Sequence, residues 1–241
     1  MKTRNNVYFL LLLLCVFPAC EKDKNADFFL ETVFIENDER LLNYDAVKTT
    51  DREPFFIEEF DDNISLFPYQ IGIYEDREVS ITDGKMTVKF SKNNDYIFST
   101  PAPLEIDESR NFEMEICLIV YRSYSEKHTF AWLPNLSTNS GYAINYWQGE
   151  DSESTTIETI RVRKDDWKED KKGYDFNAKD FLNTNEFTIL TVRKIKDKYA
   201  IFINHKLFYI INDKNFNYTP TITMVDNVSN VFDYFRVYYL P

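Results

Sequence analysis

The stretch FEMEICLIV, residues 112–120, decides the fold class because its side chains alternate in character. Successive residues of a β-strand point to opposite faces of the sheet, so every second residue shares a face. The other face carries Glu113, Glu115 and Cys117. One face is wholly apolar, and we expect it to lie in the core: Phe112, Met114, Ile116, Leu118 and Val120.

The same two-residue rhythm continues from residue 55 to the C-terminus, interrupted by turn sequences. Asp83-Gly84 and Asn204-His205 are pairs that tolerate the positive φ angles of tight hairpin turns, and a further hairpin is expected across residues 195–198. Many short strands with few helical stretches between them predict an all-β sandwich, whereas residues 28–50 fit a helix or a strand equally well. The predicted strands are FFIEEF (55–60), MTVKFS (86–91), FEMEICLIVY (112–121), YAINYW (142–147), TIETIRVRK (156–164), EFTILTVRK (186–194), YAIFIN (199–204), KLFYII (206–211), TITMV (221–225) and VFDYFRVYYL (231–240).

Residues 185–211, NEFTILTVRKIKDKYAIFINHKLFYII, resemble the strand signature of the concanavalin A-like lectin/glucanase superfamily. In that family a strand, a charged hairpin, a second strand ending in Asn and a tight turn lead into a third strand. FFIEEFDDN resembles the family's opening strand, and FDYFRVYYL resembles its closing strand. The resemblance implies a jelly-roll β-sandwich of two antiparallel sheets over residues 55–241.

The N-terminus has the pattern of a bacterial lipoprotein leader. A basic start and a short apolar run are typical of a signal peptide, predicted here over residues 1–19. Ala19-Cys20 resembles the lipobox, in which Cys20 receives the lipid and becomes the first mature residue. The charged residues that follow resemble the surface-export signals of Bacteroidetes lipoproteins. We therefore expect a surface-exposed outer-membrane lipoprotein, with residues 20–54 forming the lipidated Cys, a tether and an N-terminal segment. An ordinary signal peptide cut elsewhere is the alternative.

Charge and cysteine content exclude several classes of function. The formal charge is −12, and loss of Lys2 and Arg4 with the leader would make it −14. An acidic surface argues against nucleic acid as a partner. Cys15 leaves with the leader and Cys20 is acylated, so Cys117 has no intrachain disulfide partner. With one Cys and two His remaining, a structural zinc site is not expected.

Glu113 and Glu115 raise the question of catalysis. Family 16 glycoside hydrolases share the implied fold, and their motif places Glu, Asp and Glu at alternate positions of one strand face. The matching positions here would be Glu113, Glu115 and Cys117. A neutral thiol cannot replace the acid/base carboxyl that retaining chemistry requires. We therefore expect no activity of this type and predict glutamates that are solvated or paired with arginines on a neighbouring strand. Cys117 itself is expected to be an inert, at least half-buried thiol.

Aromatic and polar residues in the middle of the chain suggest a ligand-binding face. Sugars stack their C–H faces on aromatic rings while polar groups hold the hydroxyls. Tryptophan and tyrosine also fill sandwich cores, and arginines also pair with glutamates, so purely structural roles are the alternative. The predicted ligand-binding set is Trp132, Asn145, Trp147, Arg161, Arg163, Glu113 and Glu115, with a glycan as the expected partner.

A structural Ca²⁺ is the one cofactor that the resemblance suggests. Family members often hold calcium between the opening segment and an Asp of the last strand. Glu59, Asp61 and Asp233 occupy roughly those places, and hard oxygen ligands suit calcium. Acids are also common in turns, so these residues need not bind a metal.

Three functions therefore remain open. The first is a cell-envelope lipoprotein with a non-catalytic carbohydrate-binding sandwich. The second is a structural or protein-interaction domain without a sugar site. The third is a glycoside hydrolase-like enzyme.

Overall fold

A computed structural model describes residues 38–61, 72–73, 77–90, 96–99, 105–121, 128–135, 140–150, 156–165, 170–218, 223–226 and 230–241. All of them belong to one compact unit, Asp38–Pro241, which begins ahead of the predicted domain boundary at residue 55. The predicted leader and Cys20 lie outside the described residues. Within the described ranges, every helix is too short and too polar to cross a membrane.

The described residues form two antiparallel sheets, so the predicted all-β sandwich is confirmed. A nine-stranded sheet runs in the order β13-β12-β11-β6-β15-β4-β3-β2, with β1 also paired to β15, and a six-stranded sheet runs β10-β9-β8-β7-β14-β5. The strands are β1 (Glu53–Glu58), β2 (Gly72–Ile73), β3 (Arg77–Thr82), β4 (Lys85–Phe90), β5 (Tyr96–Ser99), β6 (Asn111–Ile119), β7 (His128–Asn135), β8 (Ser140–Glu150), β9 (Thr156–Asp165), β10 (Asp170–Asn177), β11 (Phe187–Ile195), β12 (Lys198–Ile203), β13 (Lys206–Ile211), β14 (Thr223–Asp226) and β15 (Asn230–Leu240). One short helix, α1 (Glu39–Leu42), and 3-10 turns at Tyr44–Ala46, Thr49–Asp51 and Ala178–Asp180 complete the described elements.

The inner faces of the two sheets form the core. The apolar face of β6 is fully buried, as predicted, with Phe112, Met114 and Ile116 at 0% exposure. Rings from opposite sheets meet: Tyr142 on β8 lies 6.1 Å from Tyr209 on β13, measured between centroids. Since Tyr142 points inward, alternation along β8 places Ala143 and Asn145 on the outer face of the six-stranded sheet.

The three predicted hairpins are confirmed. Asp83 and Gly84 join β3 to β4 with φ angles of 53° and 68°, and Asn204 and His205 join β12 to β13 with φ angles of 49° and 64°. Two consecutive positive φ angles are what a tight turn between twisted strands requires. Lys196, at φ 58°, lies in the turn between β11 and β12.

The outer face of the nine-stranded sheet is covered by residues 38–52, which we call the N-terminal strap. Leu41 and Val47 of the strap are buried against Ala200 and Phe202 of β12 in a small second core. The ring of Tyr44 packs edge-on against Phe202 and stacks 4.0 Å from the ring of His205. The segment that fitted helix or strand in the sequence is therefore a short helix followed by tight turns over its described part.

Arg193 on β11 holds the strap to the sheet. Its guanidinium is fully buried, and its Nε donates to Glu113 Oε2 at 2.5 Å. The Nη atoms donate to three strap carbonyls: Arg40 O at 2.7 Å, Asn43 O at 3.1 Å and Tyr44 O at 2.9 Å. Because a planar guanidinium presents several donors in fixed directions, one side chain satisfies both the carboxylate and the strap backbone.

The sequence missed four strands, β2, β5, β7 and β10. In β10, DKKGYDFN, glycine and charged residues hide the apolar alternation that marks a strand. Its pairing with β9 nevertheless extends from Asp170 to Asn177, with an irregularity between Asp170 and Gly173. An edge strand with one solvated face needs few apolar residues, which explains why the pattern failed.

Replacing Arg193 with leucine is expected to lower the free energy of unfolding by about 3–5 kcal/mol, because it leaves the Glu113 carboxylate buried without its main partner. Urea titration followed by tryptophan fluorescence measures this. Arg110→Leu, which removes an exposed ion pair with Glu53 and a contact with the Tyr239 ring, is the control and should cost much less than Arg193→Leu. Equal losses in the two variants would contradict the central role given to Arg193.

Candidate functional site

The candidate site is the outer face of the six-stranded sheet across β7, β8, β9 and β10, which we call the six-stranded outer face. Strand register places its residues in rows. One row runs Trp132, Ala143, Arg163 and Gly173, and the next runs Thr129, Asn145, Arg161 and Asp175. Directly opposed residues of adjacent strands have Cβ atoms about 5 Å apart, so each row forms a continuous strip.

Two glycines let large side chains lie against the sheet. A Cβ built on Gly141 would be 2.7 Å from Trp132 Cζ2, so the indole occupies the space that a side chain would fill. A Cβ on Gly173 would be 2.9 Å from Arg161 Cδ, so the arginine stem crosses that glycine. Glycine inside a strand commonly marks such a close approach. Trp132 and Arg161 are thereby fixed as parts of one surface.

Arg161 is held by Asp175 on the neighbouring strand. Its Nε and Nη2 donate to the two carboxylate oxygens at 2.5 and 2.8 Å. Both side chains are nearly half exposed, at 45% and 47%. An exposed pair of this kind contributes little to stability, about 0–1 kcal/mol, but it fixes orientation and neutralises both charges.

Asn145 lies between these groups and is 6% exposed. Its Nδ2 donates to Thr129 Oγ1 at 3.2 Å, whereas its Oδ1 is buried and has no hydrogen-bond partner among the described residues. A buried acceptor without a donor is costly and uncommon in folded proteins. This oxygen is therefore a point on the face where a donor is missing.

The structure brings together four of the predicted ligand-binding residues, Trp132, Asn145, Arg161 and Arg163. The backbone of Trp147 pairs with Thr159 in the next row of the same strands. Its side chain is outside the described part. Thr129 and Asp175 belong to the same face but were missed, because β7 and β10 were not predicted as strands.

Glu113 and Glu115 are not part of this face, which corrects their predicted grouping with Trp132. Both lie on the outer side of β6 in the nine-stranded sheet and are buried beneath the strap. Glu113 pairs with Arg193 and Arg52, the latter at 2.9 Å. The predicted pairing with arginines on a neighbouring strand is confirmed for both glutamates, since Glu115 Oε1 lies 3.8 Å from Arg236 on β15, and the solvated alternative is wrong for both.

Glu115 is surrounded by hydroxyl donors. Tyr44 Oη donates to its Oε2 at 2.7 Å, and Thr191 Oγ1 approaches the same oxygen at 3.3 Å. Burial, together with the nearby Glu115 charge, raises the pKa of Tyr44. The tyrosine therefore stays a neutral donor, and the carboxylate serves to hold the strap.

Cys117 is buried, 4% exposed. Burial raises the pKa of its thiol from 9.0 to about 12, and the charges of Asp233 and Glu115 add to the shift. A nucleophilic cysteine needs the opposite, a lowered pKa and an accessible position. The structure thus agrees with an inert thiol.

Two of the three residues suggested for calcium have other partners, and the third, Asp61, lies near Gly84. Both oxygens of Glu59 accept hydrogen bonds from Arg236, at 2.7 and 2.8 Å. Asp233 lies 3.7 Å from Lys85 Nζ, and Asp61 approaches Gly84. Within the described ranges, no group of three or more acidic, Cys or His side chains is placed to hold a metal. Calcium binding stays a prediction.

Comparison with solved structures identifies the fold. The catalytic domain of a laminarinase from Thermotoga petrophila matches with a TM-score of 0.52 at 12% identity, covering 78% of this chain and 98% of that one. A laminarinase from Flavobacterium sp. UMI-01 gives 0.50 at 12%, covering 77% and 100%. SCLam, a family 16 endo-β-1,3(4)-glucanase, gives 0.52 at 10%, covering 81% and 93%.

Comparisons of the sequence with protein-family models and with curated proteins find no match. At identities near one in ten, the structural likeness establishes the architecture alone. The chain has the concanavalin A-like jelly-roll sandwich fold that its sequence resembles.

Cys117 should resist alkylation by iodoacetamide at pH 8 in folded residues 21–241, and should react fully after unfolding in guanidinium chloride. Mass spectrometry measures both states. Rapid modification of the folded protein would contradict the assignment of an inert thiol.

The raised pKa also fixes a pH dependence. The unfolded thiol ionises near pH 9 and the folded one near 12, so the unfolded state binds fewer protons between them. Stability should therefore fall over this interval, by up to about 1.4 kcal/mol per pH unit from this group. Cys117→Ala should show a shallower decline in urea titrations across the same range.

Proposed function

We propose that this protein binds a glycan on the six-stranded outer face without cleaving it. The observation that carries the proposal is the arrangement around Trp132: an indole lying against Gly141, with a buried amide whose acceptor lacks a donor in the adjacent row of the same face. An aromatic surface with a few fixed polar groups is the usual composition of a sugar site, because the ring stacks on C–H groups and the polar atoms orient the hydroxyls.

The arrangement of carboxylates supports binding over hydrolysis. Retaining hydrolysis needs two carboxyl groups about 5–5.5 Å apart, and inverting hydrolysis needs two about 6.5–9.5 Å apart. On the six-stranded outer face, Asp175 is the acid with a described side chain, and it is engaged by Arg161. Glu113 and Glu115, the carboxylates first considered, serve the strap on the other sheet.

The structural relatives add weight to a carbohydrate ligand. Their names describe them as laminarinases and an endo-β-1,3(4)-glucanase. A neutral β-glucan is accordingly the first ligand to try. The fold alone does not fix the function, and the specific support comes from the residues of this face.

We propose further that Cys20 anchors the domain to the outer membrane, at the cell surface. The support is the leader pattern of residues 1–19 and the Ala19-Cys20 pair. Acyl chains on one cysteine give a stable anchor, since each buried methylene contributes about 0.8 kcal/mol. An anchored binding domain would retain polysaccharide near the cell.

Trp132→Ala should abolish glycan binding or weaken it at least tenfold, because the stacking surface is lost. A glycan array probed with residues 21–241, followed by calorimetry on the best ligand, measures the effect. Phe187→Ala is the matched control. Phe187 is also an aromatic on a strand, 38% exposed, but it lies in the nine-stranded sheet and should leave the affinity unchanged.

A folded protein that binds nothing on an array of neutral, uronic and sulfated glycans would contradict the proposal. So would release of reducing ends from laminarin by the unaltered protein. Binding that survives Trp132→Ala and is lost in Phe187→Ala would move the site to the other sheet.

Cys20→Ser should abolish incorporation of a radiolabelled or alkyne-tagged fatty acid when the full chain is expressed in a Bacteroidetes host. Cys15→Ser should not, because that residue lies within the predicted leader. Labelling that persists in Cys20→Ser would contradict the predicted anchor.

A further inference from the structure

Asn145 has a role beyond filling space on the six-stranded outer face. The side chain is more than nine-tenths buried, and its Nδ2 is engaged with Thr129 Oγ1. Its Oδ1 is buried and has no hydrogen-bond partner among the described residues. An apolar residue of similar size at this position would lose the Thr129 hydrogen bond but would also remove the desolvation penalty of the unmet acceptor, so its net effect on stability would be small.

We propose that Asn145 Oδ1 accepts a hydrogen bond from a hydroxyl or amide N–H of a neutral sugar, and that the charge balance of the six-stranded outer face selects neutral glycans over anionic ones. The inference rests on the proposed function and specifies its ligand class. It assigns to Asn145 the role of a specificity-determining contact.

The chemistry of the face excludes an anionic group at this position. A carboxylate or sulfate at this position has no proton to donate to Asn145 Oδ1, so the acceptor would remain unmet and its partial negative charge would face an anion. Arg161, which pairs across the strands with Asn145, is already neutralised by both oxygens of Asp175. The formal charge of −12 on the chain adds a long-range repulsion.

The site is closed around this oxygen in the structure, since Oδ1 has almost no accessible surface. A ligand therefore reaches it only after a neighbouring side chain changes rotamer. Such changes are common where partners bind, and they need no backbone movement. The sugar donor then supplies the hydrogen bond that Asn145 Oδ1 lacks. The side chains that move lose packing contacts, and the amide gains a partner.

Two substitutions separate an acceptor role from a structural one. Asn145→Leu keeps the volume and removes the acceptor, whereas Asn145→Asp keeps acceptor oxygens and can still accept from the Thr129 hydroxyl. The ligand is the neutral oligosaccharide that binds most tightly to residues 21–241 on a glycan array, with affinity measured by calorimetry and stability by urea titration. We expect Asn145→Leu to weaken binding at least tenfold with unchanged or higher stability, and Asn145→Asp to stay within about threefold.

Asn135→Leu is the matched control. Asn135 is an equally buried amide on β7, and its Nδ2 donates to Asn215 O at 2.9 Å. Its loss should lower stability and leave the affinity unchanged.

The outcomes separate this inference from the proposed function. If Trp132→Ala abolishes binding while Asn145→Leu binds normally, the glycan site stands and the role of Asn145 is overturned. Loss of binding in Asn145→Asp with a normal fold overturns it too, because that variant keeps the acceptor. Tightest binding of a uronic or sulfated glycan overturns the selection for neutral sugars. Failure to bind any glycan overturns the proposed function itself.

Discussion

A single buried guanidinium holds the N-terminal strap over the outer face of the nine-stranded sheet. Arg193 neutralises Glu113 and donates to three carbonyls of the N-terminal strap, so the centre of the nine-stranded sheet is covered by the chain's own backbone. Tyr44 sits between two arginines, with guanidinium carbons 4.9 Å from its ring centroid for Arg52 and 5.1 Å for Arg193. Charges buried this deeply need close partners of opposite charge, and Glu113 has them in Arg193 and Arg52, so this face has a structural role.

The six-stranded sheet has a different outer face. Its side chains are arranged by two glycines and by an exposed ion pair. Trp132 and Asn145 are positioned by the strands themselves, and strands hold side chains more precisely than loops do. The two sheets thus share one hydrophobic core while their outer faces are built differently.

The sequence predicted the core side of this architecture well and the outer sides less well. Alternation in FEMEICLIV identified the buried face of β6, and Asp83-Gly84 and Asn204-His205 located hairpins, because these signals depend on neighbouring residues alone. Local sequence patterns could not predict that the N-terminal strap covers Glu113 and Glu115. This covering depends on Arg193, eighty positions further along the chain, and on a strap whose sequence fitted helix or strand. Asp175 was missed for a related reason, since an edge strand needs little apolar patterning.

The proposal that the ligand binds the six-stranded outer face, and not the face under the strap, can be tested directly by hydrogen exchange of residues 21–241 with and without the bound oligosaccharide. We expect added protection in β7, β8 and β9, around Trp132 and Asn145, and unchanged exchange in the strap and in β11 around Arg193. Protection confined to the strap, β6 and β11 would contradict the account, because it would place the ligand on the face that Arg193 closes.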